Sequence, residues 1–221
     1  MGAAHRLKCV CGVAAPLIFT GAWVICSLRQ GSRGGYSFRS EHISGLAAPD
    51  ALARRTMTVG FLGLGAGTLV FSSAVQETTR SRIAPALVRV AGTATLATGV
   101  LRRDRMLLGP PPDDPKWRQS RRNDGHDLAS LVAYTCMLVA PPAVARALDD
   151  RRLTSGIAAA TSLSASLMAL FASRALEPYN GIVQRAAVSI SLAAMAALAG
   201  VMAARPAAAR ELSPRTRRRR G

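Results

Sequence analysis

The sequence predicts an all-α membrane protein, a polytopic bundle of six transmembrane helices with both termini on the same side. Two observations carry this expectation. Apolar residues are gathered into runs of about twenty, the length a helix needs to cross a bilayer, and nearly all the charge falls between the runs or at the chain ends. Average composition decides little, because 49% hydrophobic residues in a chain of 221 would also suit one soluble domain. A net charge of +17 would ordinarily suggest nucleic acid. Here the basic residues flank hydrocarbon-length runs, where topology control and anionic headgroups account for them, so no nucleic acid partner is expected. Almost all are Arg, with Lys8 and Lys116 the exceptions, and together with abundant Ala, Gly and Pro this points to a GC-rich bacterial genome and a bacterial plasma membrane.

A short N-terminus (1–8) leads into the membrane domain (9–204). The first span, 9–28, follows Arg6 and Lys8 and carries no charge. It is too long for a signal-peptide core and lacks a small-x-small cleavage site, so it is expected to be retained. Pro16 is expected to kink it. The second span, 56–75, contains "GFLGLGAG", whose glycines miss the dinucleotide-binding spacing and lie inside an apolar run. Gly63 and Gly67 instead form a GxxxG pair, suited to close approach of another helix. In the third span, 83–101, Pro85 suits a helix start, and Arg89 is near enough to the beginning for its side chain to snorkel to the interface.

The fourth span, 126–145, is introduced by "RRNDGHD", in which Asn123 or Asp124 is expected to cap the helix. Pro141 and Pro142 should bend or end it. The fifth, 153–173, carries Ser155, Thr161, Ser162, Ser164 and Ser166, hydroxyls able to bond across helices. The sixth, 185–204, stops at Arg205-Pro206, before a basic tail (205–221) expected to be disordered. Lys and Arg are equally numerous on the two sides, so the positive-inside rule abstains. The termini are placed in the cytoplasm because Arg215 and Arg217 to Arg220 would gain about 1 kcal/mol each near anionic inner-leaflet lipid.

Alternating spans put loops one, three and five on one face, and the polar chemistry collects there. Loop one carries Glu41, His42, Ser44 and Asp50; loop three carries Asp104 and leads into His126 and Asp127; loop five carries Glu177 shortly before Arg185. Loops one and three are long for connectors, as functional caps are, and "GPPPDDPKW" within loop three reads as a stiff spacer. A Glu-His pair facing a His-Asp pair has the proton affinities for general acid-base work or for a divalent metal. No HxxxH, HExxH or paired CxxC pattern accompanies it, so neither metal nor cofactor is expected, and hydrogen-bonded clamping of the outer ends of the spans is preferred. Arg185 is expected to pair with Glu177, Asp127 or a lipid phosphate. Cys9, Cys11, Cys26 and Cys136 read as small buried hydrophobes.

The run His42-Ile43-Ser44-x-Leu46 followed by Ala48-Pro49, directly after a first span, resembles the six-span bacterial membrane proteins of domain-of-unknown-function family 998. Asp104 soon after span three, His126 at the start of span four, and Gly181 with Arg185 at the start of span six resemble that family's later features. Arg102-Arg103 stands where Phe-Pro is expected, and Gln184 where an acidic residue often precedes the Arg, which bears against an ion pair at that end of span six. More distantly, the Ile-Ser motif is similar to that of the DRAM and FGF-receptor-activating-protein group. The resemblance implies a fold and a membrane address, and no activity. The expected function is therefore a non-enzymatic bundle whose outer cap binds lipid, a small solute or a membrane partner, with a homo-oligomer or another membrane protein met through Gly63 and Gly67. The alternatives are a lipid hydrolase or transferase using His42 and His126 with Glu41 or Asp127, and a small transporter.

Overall fold

The computed structural model describes residues 2–32, 35–107, 114, 116 and 118–205. The described chain forms six long helices: α1 (Ala3–Gly31), α2 (Arg54–Thr78), α3 (Ile83–Val100), α4 (Arg121–Ala147), α5 (Arg151–Ser173) and α6 (Asn180–Ala204). Each is long and apolar enough to cross a membrane. A short 3₁₀ helix, Ile43–Ala47, lies between α1 and α2, and there is no strand among the described residues. Most of the "GPPPDDPKW" stretch and all of the tail beyond Arg205 lie outside the described residues.

Several helices outrun their apolar cores. α1 begins at Ala3, so His5, Arg6 and Lys8 are already helical. α4 begins at Arg121, and its cap is Ser120, whose Oγ accepts from the Asn123 amide at 3.2 Å, not Asn123 or Asp124 as the sequence suggested. Asn123 is unavailable for capping because its side chain accepts from the Asp104 amide (3.1 Å) and donates to Asp127 (3.0 Å). α4 also continues past Pro141 and Pro142 to Ala147, because a membrane helix survives the loss of two amide donors when its neighbours hold it in place.

Successive helices pack against one another, and α6 returns to α1. α2 and α3 meet backbone to backbone: a Cβ on Gly65 would lie 2.8 Å from the Gly92 carbonyl oxygen. The Gly63/Gly67 pair does not act as one contact. Gly67 faces α1, where a Cβ would strike Ala15, whereas Gly63 faces outward with nothing within 4 Å. Gly12 of α1 lies against Ala199 of α6, near the start of the one and the end of the other. At the opposite end the residues following α1 meet Arg185 of α6. The two helices are therefore antiparallel, and the start of α1 and the end of α6 share one end of the bundle.

α5 is the outermost helix, with only Ile157 and Ser164 buried. Of the five hydroxyls expected to bond across helices, Ser164 does so, donating to the Ala187 carbonyl (2.7 Å) and meeting Ser191 Oγ at 2.8 Å. Ser166 instead bonds back to Ser162 of its own helix. Arg89 is exposed and reaches Gln76 near the end of α2 (2.9 Å), as a snorkelling side chain would.

The apolar core is in two parts. One, around Cys9, Phe71, Val88, Val144 and Leu198, lies toward the chain termini. The other lies toward the cap and includes Trp23, Met57 and Phe61 together with Ile43, Leu46, Ala47 and Ala48.

Candidate functional site

Loop one is a buried plug. All five residues of the 3₁₀ helix are buried, with Ile43 and Leu46 each only 1% exposed. Non-helical backbone inside a membrane protein needs partners from neighbouring helices, and most of those seen come from side chains. The Ile43 amide donates to Gln184 Oε1 (2.9 Å) and the Leu52 amide to Gln30 Oε1 (2.9 Å). Arg185 donates to the carbonyls of Glu41 (2.7 Å), Phe38 (3.1 Å) and Gly181 (2.9 Å), and to the Tyr36 hydroxyl. Gly181 permits this approach, because a Cβ there would lie 2.6 Å from the Glu41 carbonyl oxygen.

Arg185 thus departs from the expected ion pair with Glu177 or Asp127. Glu177 lies near Arg174 instead (3.9 Å), and Asp127 accepts from Asn123. Arg185 is 3% exposed, and its guanidinium meets the carbonyl oxygens and the Phe38 ring (4.4 Å) of loop one and the Trp23 ring (5.6 Å) of α1. Gln184 does what a carboxylate could not at the same place: it accepts from Ile43 through its oxygen and donates to Tyr134 Oη (3.2 Å) through its nitrogen.

Loop three locks against loop one. Asp50 Oδ1 accepts from the Met106 amide (2.8 Å), and a Cβ on Gly45 would collide with the Met106 carbonyl. Asp104 accepts from the amide and hydroxyl of Ser120 at 2.7 and 2.6 Å and pairs with Arg122 (3.5 Å), tying loop three to the start of α4. Burial pushes the Asp104 carboxyl up, but the Ser120 bonds and Arg122 outweigh it and hold the group below its ordinary value.

Between the plug, loop three, α4, α5 and α6 lies a cavity of about 710 Å³. It brings together His42, Ser44, His126 and Asp127, as the sequence suggested, and adds Arg103, Arg105, Arg118 and Arg174, which it did not. Glu41, Asp50, Asp104 and Arg185 are not on the lining and serve its walls. Along α4 the lining runs from Asn123 to Tyr134, a depth of about 16 Å at 1.5 Å per residue. Leu107, Leu131, Met168 and Phe171 form an apolar wall. Leu131 is 63% exposed, so the cavity reaches the outer surface of the bundle on the α4 side facing α5.

The two histidines differ. Arg103 Nη1 donates to His42 Nδ1 at 3.2 Å, so that nitrogen carries a lone pair and is occupied, while the ring packs against Phe171 (4.8 Å). Burial, with Arg103, Arg185 and Arg174 adding to it, lowers the His42 pKa from 6.5 to about 4. His126 is 1% exposed, and its Nδ1 lies 3.0 Å from the Thr98 carbonyl, which can only accept, so Nδ1 carries the proton. Among the described residues its Nε2 has no hydrogen-bond partner.

The profile of the family described as protein of unknown function (DUF998) matches residues 13–201. The chain belongs to that family. The matched region runs from within α1 almost to the end of α6, and so takes in the whole cap. No curated protein and no solved structure matches the chain. This DUF998 protein has a second polar cluster at the opposite end of the bundle that its sequence did not disclose. There Glu77 accepts from His5 Nδ1 (2.9 Å) and from Lys8, and His5 Nε2 lies 3.5 Å from both Cys9 Sγ and Thr78 Oγ1. Cys9 is fully buried among Phe71 and Val75, so the cluster ties α1 to α2. Among the described residues no group of three or more His, Cys, Asp or Glu side chains is placed to hold a metal.

Proposed function

We propose that the protein is a non-enzymatic binding protein of the bacterial plasma membrane whose cap cavity holds an anionic amphiphile, with the phosphate among the arginines and the chains leaving over the apolar wall. One observation carries the reading: Arg103, Arg105, Arg118 and Arg174 line the same cavity as Leu107, Leu131, Met168 and Phe171, with Asp127 the one carboxylate among the described lining residues. Guanidinium groups suit phosphate oxygens, and electrostatic attraction is stronger where water is thinned out. A lipid hydrolase or transferase using both histidines is less well supported, because His42 Nδ1 is occupied and that ring stays neutral down to about pH 4.

Native mass spectrometry in mild detergent tests this. Dioleoylphosphatidylglycerol should give a one-to-one adduct at concentrations where dioleoylphosphatidylcholine does not, and Arg118→Ala with Arg174→Ala should weaken it by at least tenfold, roughly 1 kcal/mol per Arg. Equal retention of the two lipids would overturn the proposal. Appearance of lyso-lipid or transferred headgroup during incubation would favour the enzyme.

A further inference from the structure

We infer that the cavity selects a phosphodiester whose headgroup carries a free hydroxyl, and that His126 Nε2 is the acceptor which reads that hydroxyl. The inference rests on the anionic-amphiphile reading and adds the chemistry of the buried end. The Thr98 carbonyl fixes Nδ1 of His126 as the N–H, which leaves the neutral ring's lone pair on Nε2. That atom is buried without a partner among the described residues, on a side chain 1% exposed that lines the cavity. A buried acceptor left unpaired is costly, and a ligand donor removes the cost.

The neighbours favour a hydroxyl over an amine. One turn deeper on α4 stands Ser130, then Tyr134, whose oxygen already accepts from Gln184, and Ser44 faces them from the plug. Hydroxyl groups both donate and accept and so match this mixed set. An ammonium group would find one carboxylate on the lining, Asp127, which already accepts from Asn123, against the four cations Arg103, Arg105, Arg118 and Arg174. With the phosphate held among those arginines, a polyol arm reaching inward meets His126. A lipid headgroup and a free glycerophosphodiester share this chemistry.

The test compares dioleoylphosphatidylglycerol with dioleoylphosphatidylmethanol, which has the same charge and chains but no headgroup hydroxyl, by native mass spectrometry of the full chain in detergent. The wild type should prefer the former by about tenfold, the scale of one buried hydrogen bond. In His126→Leu the ratio should fall to near one while phosphatidylmethanol still binds. The wild-type comparison requires no variant to fold. Equal binding of the two lipids by the wild type would overturn this inference and leave the anionic-amphiphile reading standing; binding of neither would overturn both. Soluble glycerophosphoglycerol, added as a competitor, assigns the source. Displacement of the lipid supports recognition of the headgroup alone; a preference that persists without displacement supports a lipid ligand.

Discussion

His42 stands in the best family marker of the chain, and its surroundings hold its ring neutral. It faces Arg103, Arg174 and Arg185 and stays neutral down to about pH 4, against an ordinary value of 6.5. Between these values the unfolded chain binds a proton that the folded chain refuses, so the His42 contribution to stability is lost as pH drops from 6.5 toward 4. The full difference is of order 3 kcal/mol, or roughly 6–12 °C of melting temperature for a chain this size. Thermal unfolding in detergent at pH 7 and pH 4.5 should show this loss in the wild type and a smaller one in His42→Gln, which keeps an acceptor for Arg103 but cannot take up a proton. Equal losses would show that His42 does not titrate as its surroundings require. The sequence marked His42 and Arg185 as members of the cap, and His42 does bond across loops, to Arg103, but the acidic partners expected for Arg185 were misjudged. A carbonyl oxygen has no side-chain signature, so the backbone acceptors of Arg185 were invisible, whereas Glu177 and Asp127 were conspicuous and wrong.

Helices were legible because hydrocarbon-length runs leave few alternatives, and the six expected spans correspond one to one with α1 to α6. Helix ends were less so, since Ser120 caps α4 only because Asp104, sixteen residues earlier, orients it. The face of a glycine was not legible at all: Gly63 and Gly67 are one turn apart, yet only Gly67 lies under α1, where a Cβ would strike Ala15 and stand 3.2 Å from the Cys11 carbonyl oxygen. Alanine is a better helix former than glycine by about 1 kcal/mol, so Gly63→Ala should be neutral or slightly stabilising. Gly67→Ala should cost about 1–3 kcal/mol net of that gain, because α1 must move away. Melting temperatures in detergent decide the matter, and the same response from both variants would mean that α1 and α2 are not in backbone contact at Gly67.

At the scale of the whole molecule the bundle has two unlike ends, a built cap with its cavity and a plainer end where α1 begins and α6 finishes. The cap was foreseen as a polar lid from loops one, three and five. Its loop-one part is instead an apolar plug with a polar margin, because Ile43, Leu46 and Ala47 need burial more than Glu41 and His42 need water. The cavity was half legible: both histidines were in view, but its arginines come from loop three and from the residue following α5, and only tertiary folding brings them together. Orientation in the membrane remains a matter of charge. Basic residues, the tail included, are equally divided between the two sides, so the expected orientation rests on their crowding in the tail, where Arg215 and Arg217 to Arg220 would each gain about 1 kcal/mol near anionic inner-leaflet lipid. The termini should therefore be cytoplasmic and the cap should face outward. Ser37 of the cap and Asp149, between α4 and α5 at the other end, are both exposed. In intact cells a membrane-impermeant maleimide should modify Ser37→Cys above the level of the unaltered chain and modify Asp149→Cys only after permeabilisation. The reverse pattern would place the basic tail outside and turn the cap cavity toward the cytoplasmic leaflet.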